Sequence, residues 1–330
     1  MACKNFSLER DALNLCEDSM KGKPIQDLKP EEARDNFVKI QSGDVYKYPC
    51  NIEDIKMDLG GELGSVNVRI LTPPNAKESN NTKLPVINFI HGGGWVMGDH
   101  ITHDKLIREI CYRTNSLVIF TEYSRPPEVK YPIQNEQCYS VFLKILKDAT
   151  KWNIDINNIS IVGDSAGGNM TIVLALMAKI RNGPTIKRMV LYYPAIDGEM
   201  NSSSYKEFGN DFYLTKGGMK WFWDSYINHP NDSNEIFCCP SKCKESDVVG
   251  FPETMILNGE ADVLCDEGEN FARLLRKANV PVTHLRFQAM IHDFVALNCL
   301  DQSKACRAAM DSSIDFLNKS HDQNATKPKC

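Results

Sequence analysis

Strand-like and helix-like segments alternate along this chain from about residue 65 onward. Runs rich in β-branched and aromatic residues are typical of strands, and they lie at residues 65–71, 84–91, 116–124, 158–164, 188–194, 253–260 and 282–287. The helical patterns between them lie at residues 132–149, 166–181, 266–278 and about 301–318. Several strands are apolar throughout, as expected when helices cover both faces of a sheet. The alternation predicts an α/β fold with a mostly parallel sheet.

Two segments interrupt this alternation. Residues 1–50 are polar and helical in pattern, and residues 196–250 carry many aromatic side chains without a strand–helix pattern. Each segment is expected to cover one end of the sheet. We therefore predict one domain over residues 1–330, with a core at about 51–195 and 251–330 and a cap from the two other segments.

Composition and charge narrow the classes of function. The net charge of −5 gives no electrostatic reason to expect nucleic acid or an anionic membrane as a partner. The first twenty residues lack the apolar centre of a signal peptide, and no apolar run is long enough to span a bilayer. We expect a soluble, cytoplasmic protein. Cys238, Cys239 and Cys243 lack the paired spacing of a zinc site, so no metal is predicted.

One serine lies between a predicted strand and a predicted helix, at the end of the sheet where α/β folds place ligand-binding and catalytic groups. Ser165, in GDSAGG, lies between the strand at 158–164 and the following helix. A strand and a helix that approach closely at such a turn leave room only for small residues two positions away, and Gly163 and Gly167 occupy those positions. The turn exposes the hydroxyl at the carboxyl end of the sheet, where open α/β sheets bind ligands. Ser165 is therefore the predicted nucleophile.

A serine hydroxyl needs a base, and the base needs an orienting acid. His292 follows the last predicted strand, and Asp262 follows the strand before it, so both are expected at the same edge of the sheet as Ser165. Asp266 is the alternative acid, but it opens a predicted helix and is better placed as the N-cap of that helix. We therefore predict Asp262 as the acid and His292 as the base.

A glycine-rich segment, HGGGWVMG at residues 91–98, directly follows a predicted strand. Its glycines allow backbone N–H groups to point at a developing oxyanion. Gly93 and Gly94, together with Ala166 beside the serine, are the predicted donors, and His91 is expected to orient the loop. A phosphate-binding loop is the alternative, but the segment has neither G-x-G-x-x-G nor G-K-[ST].

With HGGGW, GDSAGG, a downstream aspartate and a late histidine, the chain resembles the hormone-sensitive-lipase-like group of α/β-hydrolases over about residues 60–320. Residues 121–132 are similar to the group's Y-R-L-A-P-E segment, although Ser124, Arg125 and Pro126 depart from it. The resemblance implies the α/β-hydrolase fold, with an eight-stranded sheet, a helical cap and an acyl pocket between cap and core.

The resemblance also implies a function. We expect an acetyl-esterase-like serine carboxylesterase that hydrolyses small-molecule esters of short to medium acyl chains through an acyl-enzyme, with no cofactor or metal. A homodimer is an open expectation, because members of the group often dimerise. One alternative is a dedicated hydrolase of a natural-product ester, amide or lactone. Another is a ligand-binding relative without turnover, which would be expected to lack the histidine that this chain has at His292.

Overall fold

The computed structural model describes residues 6–76 and 83–319. Its strands form one sheet in the order β1-β2-β4-β3-β5-β6-β7-β8. The strands are β1 (Asn51–Gly60), β2 (Gly64–Thr72), β3 (Leu84–Ile90), β4 (Leu117–Glu122), β5 (Ile154–Asp164), β6 (Arg188–Tyr192), β7 (Glu253–Ala261) and β8 (Val282–Ile291). β2 pairs antiparallel with β1 and with β4, and the strands from β4 to β8 pair in parallel. The predicted mostly parallel, eight-stranded sheet is confirmed.

Helices connect and cover the strands. They are α1 (Arg10–Ser19), α2 (Pro30–Ile40), α3 (Asp104–Thr114), α4 (Ile133–Lys147), α5 (Ala149–Trp152), α6 (Ala166–Ile180), α7 (Ser203–Phe208), α8 (Lys216–Tyr226), α9 (Glu245–Val248), α10 (Cys265–Lys277) and α11 (Lys304–Asn318). α3 and α11 pack together on one face of the sheet, and α4 and α6 pack together on the other. Within the described ranges, no helix has the length and apolar character needed to cross a membrane.

The central strands are buried because helices cover both of their faces. Every side chain of β6 is buried, as are those of β3 apart from one half-buried proline, which explains their continuous apolar sequence. β1 differs, since its side chains alternate between exposed and half-buried. The predicted strands did not include β1, because its charged residues obscure the apolar signal of an edge strand. α3 was likewise absent from the predicted helices.

The carboxyl ends of four parallel strands meet at one edge of the sheet. β5 ends at Asp164, β7 at Ala261 and β8 at Ile291. The next residue in each case is one of the three predicted triad members. β3 ends at Ile90, immediately before the glycine-rich segment. The topology therefore places the candidate groups at the same edge of the sheet.

The two segments predicted as a cap contain no strand in the part of the chain that the structure describes. Residues 6–50 contribute α1 and α2, and residues 196–250 contribute α7, α8 and α9. They also touch each other, because Ile25 packs closely against Gly218 of α8. The division of the chain into core and cap stays a prediction.

Candidate active site

Ser165 occupies a sharp turn between β5 and α6, the serine turn (residues 163–167). Its φ of +53° is in the left-handed region, which few residues other than glycine adopt. A side chain at Gly163 would meet the carbonyl of Gly167, and one at Gly167 would meet the carbonyl of Ile90 in β3. Both positions therefore require glycine, for the steric reason that the sequence indicated.

The structure brings the three predicted triad residues into one chain of hydrogen bonds. His292 Nε2 lies 2.9 Å from Ser165 Oγ, and His292 Nδ1 lies 2.7 Å from Asp262 Oδ2. All three residues are buried. The second oxygen of Asp262 accepts the N–H of Leu264 at 2.9 Å, which fixes the carboxylate. In the neutral imidazole, a proton on Nδ1 directed at Asp262 leaves the Nε2 lone pair facing the serine hydroxyl.

Asp266 is not the N-cap that the sequence analysis predicted. α10 begins at Cys265 and its N-cap is Leu264, so Asp266 already lies in the first turn. The N-cap therefore lies two residues before Asp266, where Asp262 accepts the N–H of Leu264. Asp266 Oδ2 instead accepts the N–H of Ser204 at 2.9 Å, at the start of α7. Its carboxylate therefore stabilises the N-terminus of a different helix.

The glycine-rich loop (residues 91–98) lies beside the serine turn. Gly93 and Gly94 have φ values of +97° and +59°, and a methyl group on Gly94 would collide with the ring of Phe222. Within the described chain, neither of their N–H groups donates to a protein acceptor. Ala166 is the first residue of α6, so its N–H has no acceptor within the helix. Three donors are therefore free near Ser165.

His91 lies beneath the glycine-rich loop, with its ring stacked on Tyr123 at a centroid distance of 4.2 Å. Its Nδ1 donates to the carbonyl of Gly92 at 2.8 Å, and the Tyr123 hydroxyl donates to the His91 carbonyl at 2.9 Å. Burial, with the positive charge of His103 nearby, lowers the pKa of His91 well below its usual value. A neutral ring fixed in this way fits a role in orienting the loop.

One carboxylate that sequence reasoning missed joins the serine turn to the glycine-rich loop and to His103. Asp164 Oδ1 accepts the N–H of Gly92 at 3.0 Å, and Oδ2 lies 3.2 Å from His103 Nε2. His103 Nδ1 in turn lies 2.9 Å from Thr102 Oγ1. Burial lowers the pKa of His103, but the Asp164 carboxylate, with smaller contributions from Asp293 and Asp99, outweighs burial and raises it. The position of Asp164 directly before Ser165 was the available signal.

Gln41 was also missed, because nothing in its sequence neighbourhood marks it. Its buried side-chain amide donates to the carbonyls of Thr102 at 2.7 Å and Ala296 at 3.0 Å. Its amide oxygen accepts the N–H of Asn298 at 2.8 Å. Gln41 therefore ties the end of α2 to the segment that carries His292, the histidine loop (residues 292–298).

A cleft of about 1,070 Å³ opens onto Ser165 and His292. Its walls come from α1, α2 and the segment around α8. The apolar lining includes Ile25, Phe37, Met97, Leu214, Met219 and Phe222. Across the described ranges, no three His, Cys, Asp or Glu side chains are grouped as ligands of a metal ion. An apolar cleft that ends at a nucleophile suits an ester of an apolar acid.

Comparison with known proteins identifies the family of the chain. The family described as alpha/beta hydrolase fold matches residues 87–296. The chain belongs to the hormone-sensitive-lipase-like group of α/β-hydrolases. It is 39% identical to vegetative-specific protein H5 of Dictyostelium discoideum, over 96% of this chain and 93% of that protein. It is 28% identical to an esterase of Fusarium pseudograminearum, over 90% of each.

The fold is shared with solved esterases. A thermostable esterase from Pseudomonas putida superposes with a TM-score of 0.90 and 33% identity, over 94% of this chain and 97% of that one. Esterases thus recur among both the sequence relatives and the structural neighbours. The chain is a carboxylesterase-like ester hydrolase, and the predicted family and enzyme class are confirmed.

The Asp164–His103 ion pair predicts that the free energy of unfolding depends on pH. The raised pKa of His103 stabilises the folded state below the unfolded value of 6.5, and that stabilisation is lost as the pH rises through the folded pKa. In Asp164→Asn, burial is left to disfavour the protonated ring. We expect the variant to lose about 2 kcal/mol or more of unfolding free energy at pH 5.5 and clearly less at pH 8.5. Urea unfolding of both proteins measures this, and an equal loss at both pH values would contradict it.

Proposed function

We propose that this ester hydrolase uses Ser165 as nucleophile, His292 as general base and Asp262 as the orienting acid. The observation that supports the assignment is the unbroken chain of hydrogen bonds, 2.9 Å from Ser165 to His292 and 2.7 Å from His292 to Asp262. The sharp turn that places Ser165 in the lining of the cleft adds to it. Nucleophile, base and orienter within hydrogen-bond reach are the pattern that covalent acyl transfer needs.

In the proposed reaction, His292 Nε2 takes the hydroxyl proton as Ser165 Oγ attacks the ester carbonyl. Asp262 holds the proton on Nδ1 and stabilises the imidazolium that forms. The carbonyl oxygen becomes an oxyanion, for which the N–H groups of Gly93, Gly94 and Ala166 are the proposed donors. The Nε2 proton then passes to the leaving alcohol as the tetrahedral intermediate collapses to the acyl-enzyme. Water, activated by the same base, attacks the acyl-enzyme, and the carboxylic acid leaves.

The substrate preference that we propose is for short to medium acyl chains. The Phe222 ring packs on Gly94 at one proposed oxyanion donor, with Met97 and Met219 nearby in the apolar wall. The cleft volume is at the upper end of the usual range for small-molecule pockets, roughly 300–1,000 Å³. It therefore favours chains longer than acetyl as well as acetyl itself. The predicted cytoplasmic location and homodimer stay predictions.

We also propose that residues 6–50 and 196–250 act together as the cap. Both segments line the cleft, and the close packing of Ile25 on Gly218 joins them above the site. The hydrogen bonds of Gln41 connect this cover to the histidine loop. Such a cap determines which acyl and alcohol groups reach the nucleophile.

The proposed nucleophile is tested with a series of p-nitrophenyl esters from acetate to dodecanoate. The wild-type protein should hydrolyse the short and medium esters faster than the long ones. Ser165→Ala should lose roughly 10³-fold or more of kcat, since triad members act as a unit. No turnover of any chain length by the folded wild type would contradict the general-esterase assignment, and would favour a dedicated natural-product hydrolase.

The two neighbouring aspartates offer a matched pair of variants. Asp262→Ala should lower kcat by roughly 10⁴-fold, because the tautomer and orientation of His292 are no longer fixed. Asp266→Ala should keep kcat and lose about 1 kcal/mol of unfolding free energy, because it removes the acceptor for Ser204. Ester hydrolysis and urea unfolding of both variants measure this. If Asp266→Ala abolished turnover in a folded protein and Asp262→Ala did not, the acid assignment would be wrong.

A further inference from the structure

A second carboxylate lies against the proposed catalytic histidine. Asp293 Oδ1 is 3.3 Å from His292 Nε2, the same nitrogen that lies 2.9 Å from Ser165 Oγ. Asp262 contacts the other nitrogen of the ring at 2.7 Å. The imidazole therefore stands between two carboxylates, one at each nitrogen. A serine triad needs only the one at Nδ1.

Asp293 is 9% exposed and lines the cleft beside Ser165. Within the described residues, its one ion-pair partner is His292. This contact is electrostatic, since the hydrogen bond of His292 Nε2 is made with Ser165 Oγ. Its backbone carbonyl is used, since it accepts the N–H groups of Ala296 and Leu297 at 2.9 Å. A buried carboxylate without hydrogen-bond donors is costly, so the charge on the imidazole is what stabilises it.

Other charged and titratable groups surround the pair on every packed element. Asp164 and His103 face it from the serine turn and the start of α3, and Asp262 faces it from the end of β7. Tyr193 packs edge-on against the His292 ring at 4.7 Å, and both Tyr193 and Tyr213 lie near the Asp293 charge. The tyrosines stay neutral, because burial raises the pKa of each well above its usual value. The groups near the pair that can carry charge are therefore three carboxylates (Asp164, Asp262 and Asp293) and two imidazoles (His103 and His292).

These surroundings decide the protonation of the pair. Burial lowers the pKa of His292, but the carboxylates of Asp262, Asp293 and Asp164 outweigh burial and raise it to about 9. Burial raises the pKa of Asp293 to about 6, against the opposing effect of His292. Between these two values the pair is ionic, and Nε2 carries a proton on the side of Ser165. In that state Nε2 has no lone pair to accept the serine proton.

We propose that Asp293 is a positioning residue that acts on catalysis through His292, by stabilising the imidazolium at Nε2. This inference rests on the proposed function. In the free enzyme the charge of Asp293 favours the protonated imidazole, so a higher pH is needed before His292 can activate Ser165. After attack, the same carboxylate stabilises the imidazolium that has formed. An imidazolium stabilised in this way gives its proton to the leaving alcohol less readily, so the base is stronger and the acid weaker.

Asp293→Asn tests the negative charge of this side chain separately from its shape. Asparagine has the same shape and tolerates the left-handed backbone of this position, where φ is +61°. The measurement is kcat/KM for p-nitrophenyl butyrate from pH 5 to pH 10. The variant loses a negative charge close to the His292 imidazolium. On the acid side of the profile, where kcat/KM rises with pH (the acid limb), the apparent pKa should therefore fall by about one unit or more. Asp315→Asn, on the exposed side of α11, makes the same change in net charge and should leave the limb where it is.

Asp293→Gly is a second neutral variant, because glycine adopts a positive φ without strain. It keeps the test decisive if the asparagine variant does not fold, and it should show the same shift. An acid limb that stays at the wild-type pH in either folded variant, while Ser165→Ala is inactive, would overturn this inference and leave the proposed function intact. Full turnover by Ser165→Ala would overturn both.

Discussion

The site depends on how closely α6 approaches β3 and β5 at the serine turn. The backbone of Gly167 lies against the carbonyl of Ile90, and no side chain fits between them. That contact forces Ser165 into a positive φ and leaves its hydroxyl at the base of the cleft. A backbone hydrogen bond to β6 also holds the turn, because the Ser165 N–H donates to the carbonyl of Tyr192 at 2.9 Å. A strained residue persists only where its surroundings determine it in this way.

Buried polar contacts fix the other groups relative to that turn. Asp164 contacts both the glycine-rich loop and His103. The carbonyl of Thr102, the residue before His103, accepts a hydrogen bond from the Gln41 amide. The same amide donates to the carbonyl of Ala296 in the histidine loop. Each link joins segments that are far apart in the sequence. Buried hydrogen-bond networks of this kind make a site rigid, which oxyanion donors and a proton-transferring histidine both require. Asp293 departs from this rule, since the imidazolium is what balances its charge.

Much of this was accessible from the sequence, for a physical reason. Parallel strands end at a common edge, so residues that directly follow strand-like runs could be placed together without a structure. The seven apolar or half-apolar strands were identifiable, whereas β1 was not, because an edge strand with exposed charged residues carries little apolar signal. The contacts of Gln41 and His103 depend on distances between remote segments, and that of Asp293 with its neighbour His292 depends on how the two side chains are oriented. The N-cap expected at Asp266 was wrong, because the N-cap lies two residues earlier at Leu264, whose N–H donates to Asp262.

The central claim is that Ser165 carries the acyl group. The direct measurement is mass spectrometry of the protein after reaction with a fluorophosphonate, which traps activated serine nucleophiles through the same attack. The account predicts a single adduct on the peptide that contains Ser165, formed together with the loss of ester hydrolysis, and no adduct in His292→Ala. A stoichiometric adduct on a different residue, or full loss of activity with Ser165 unmodified, would contradict it.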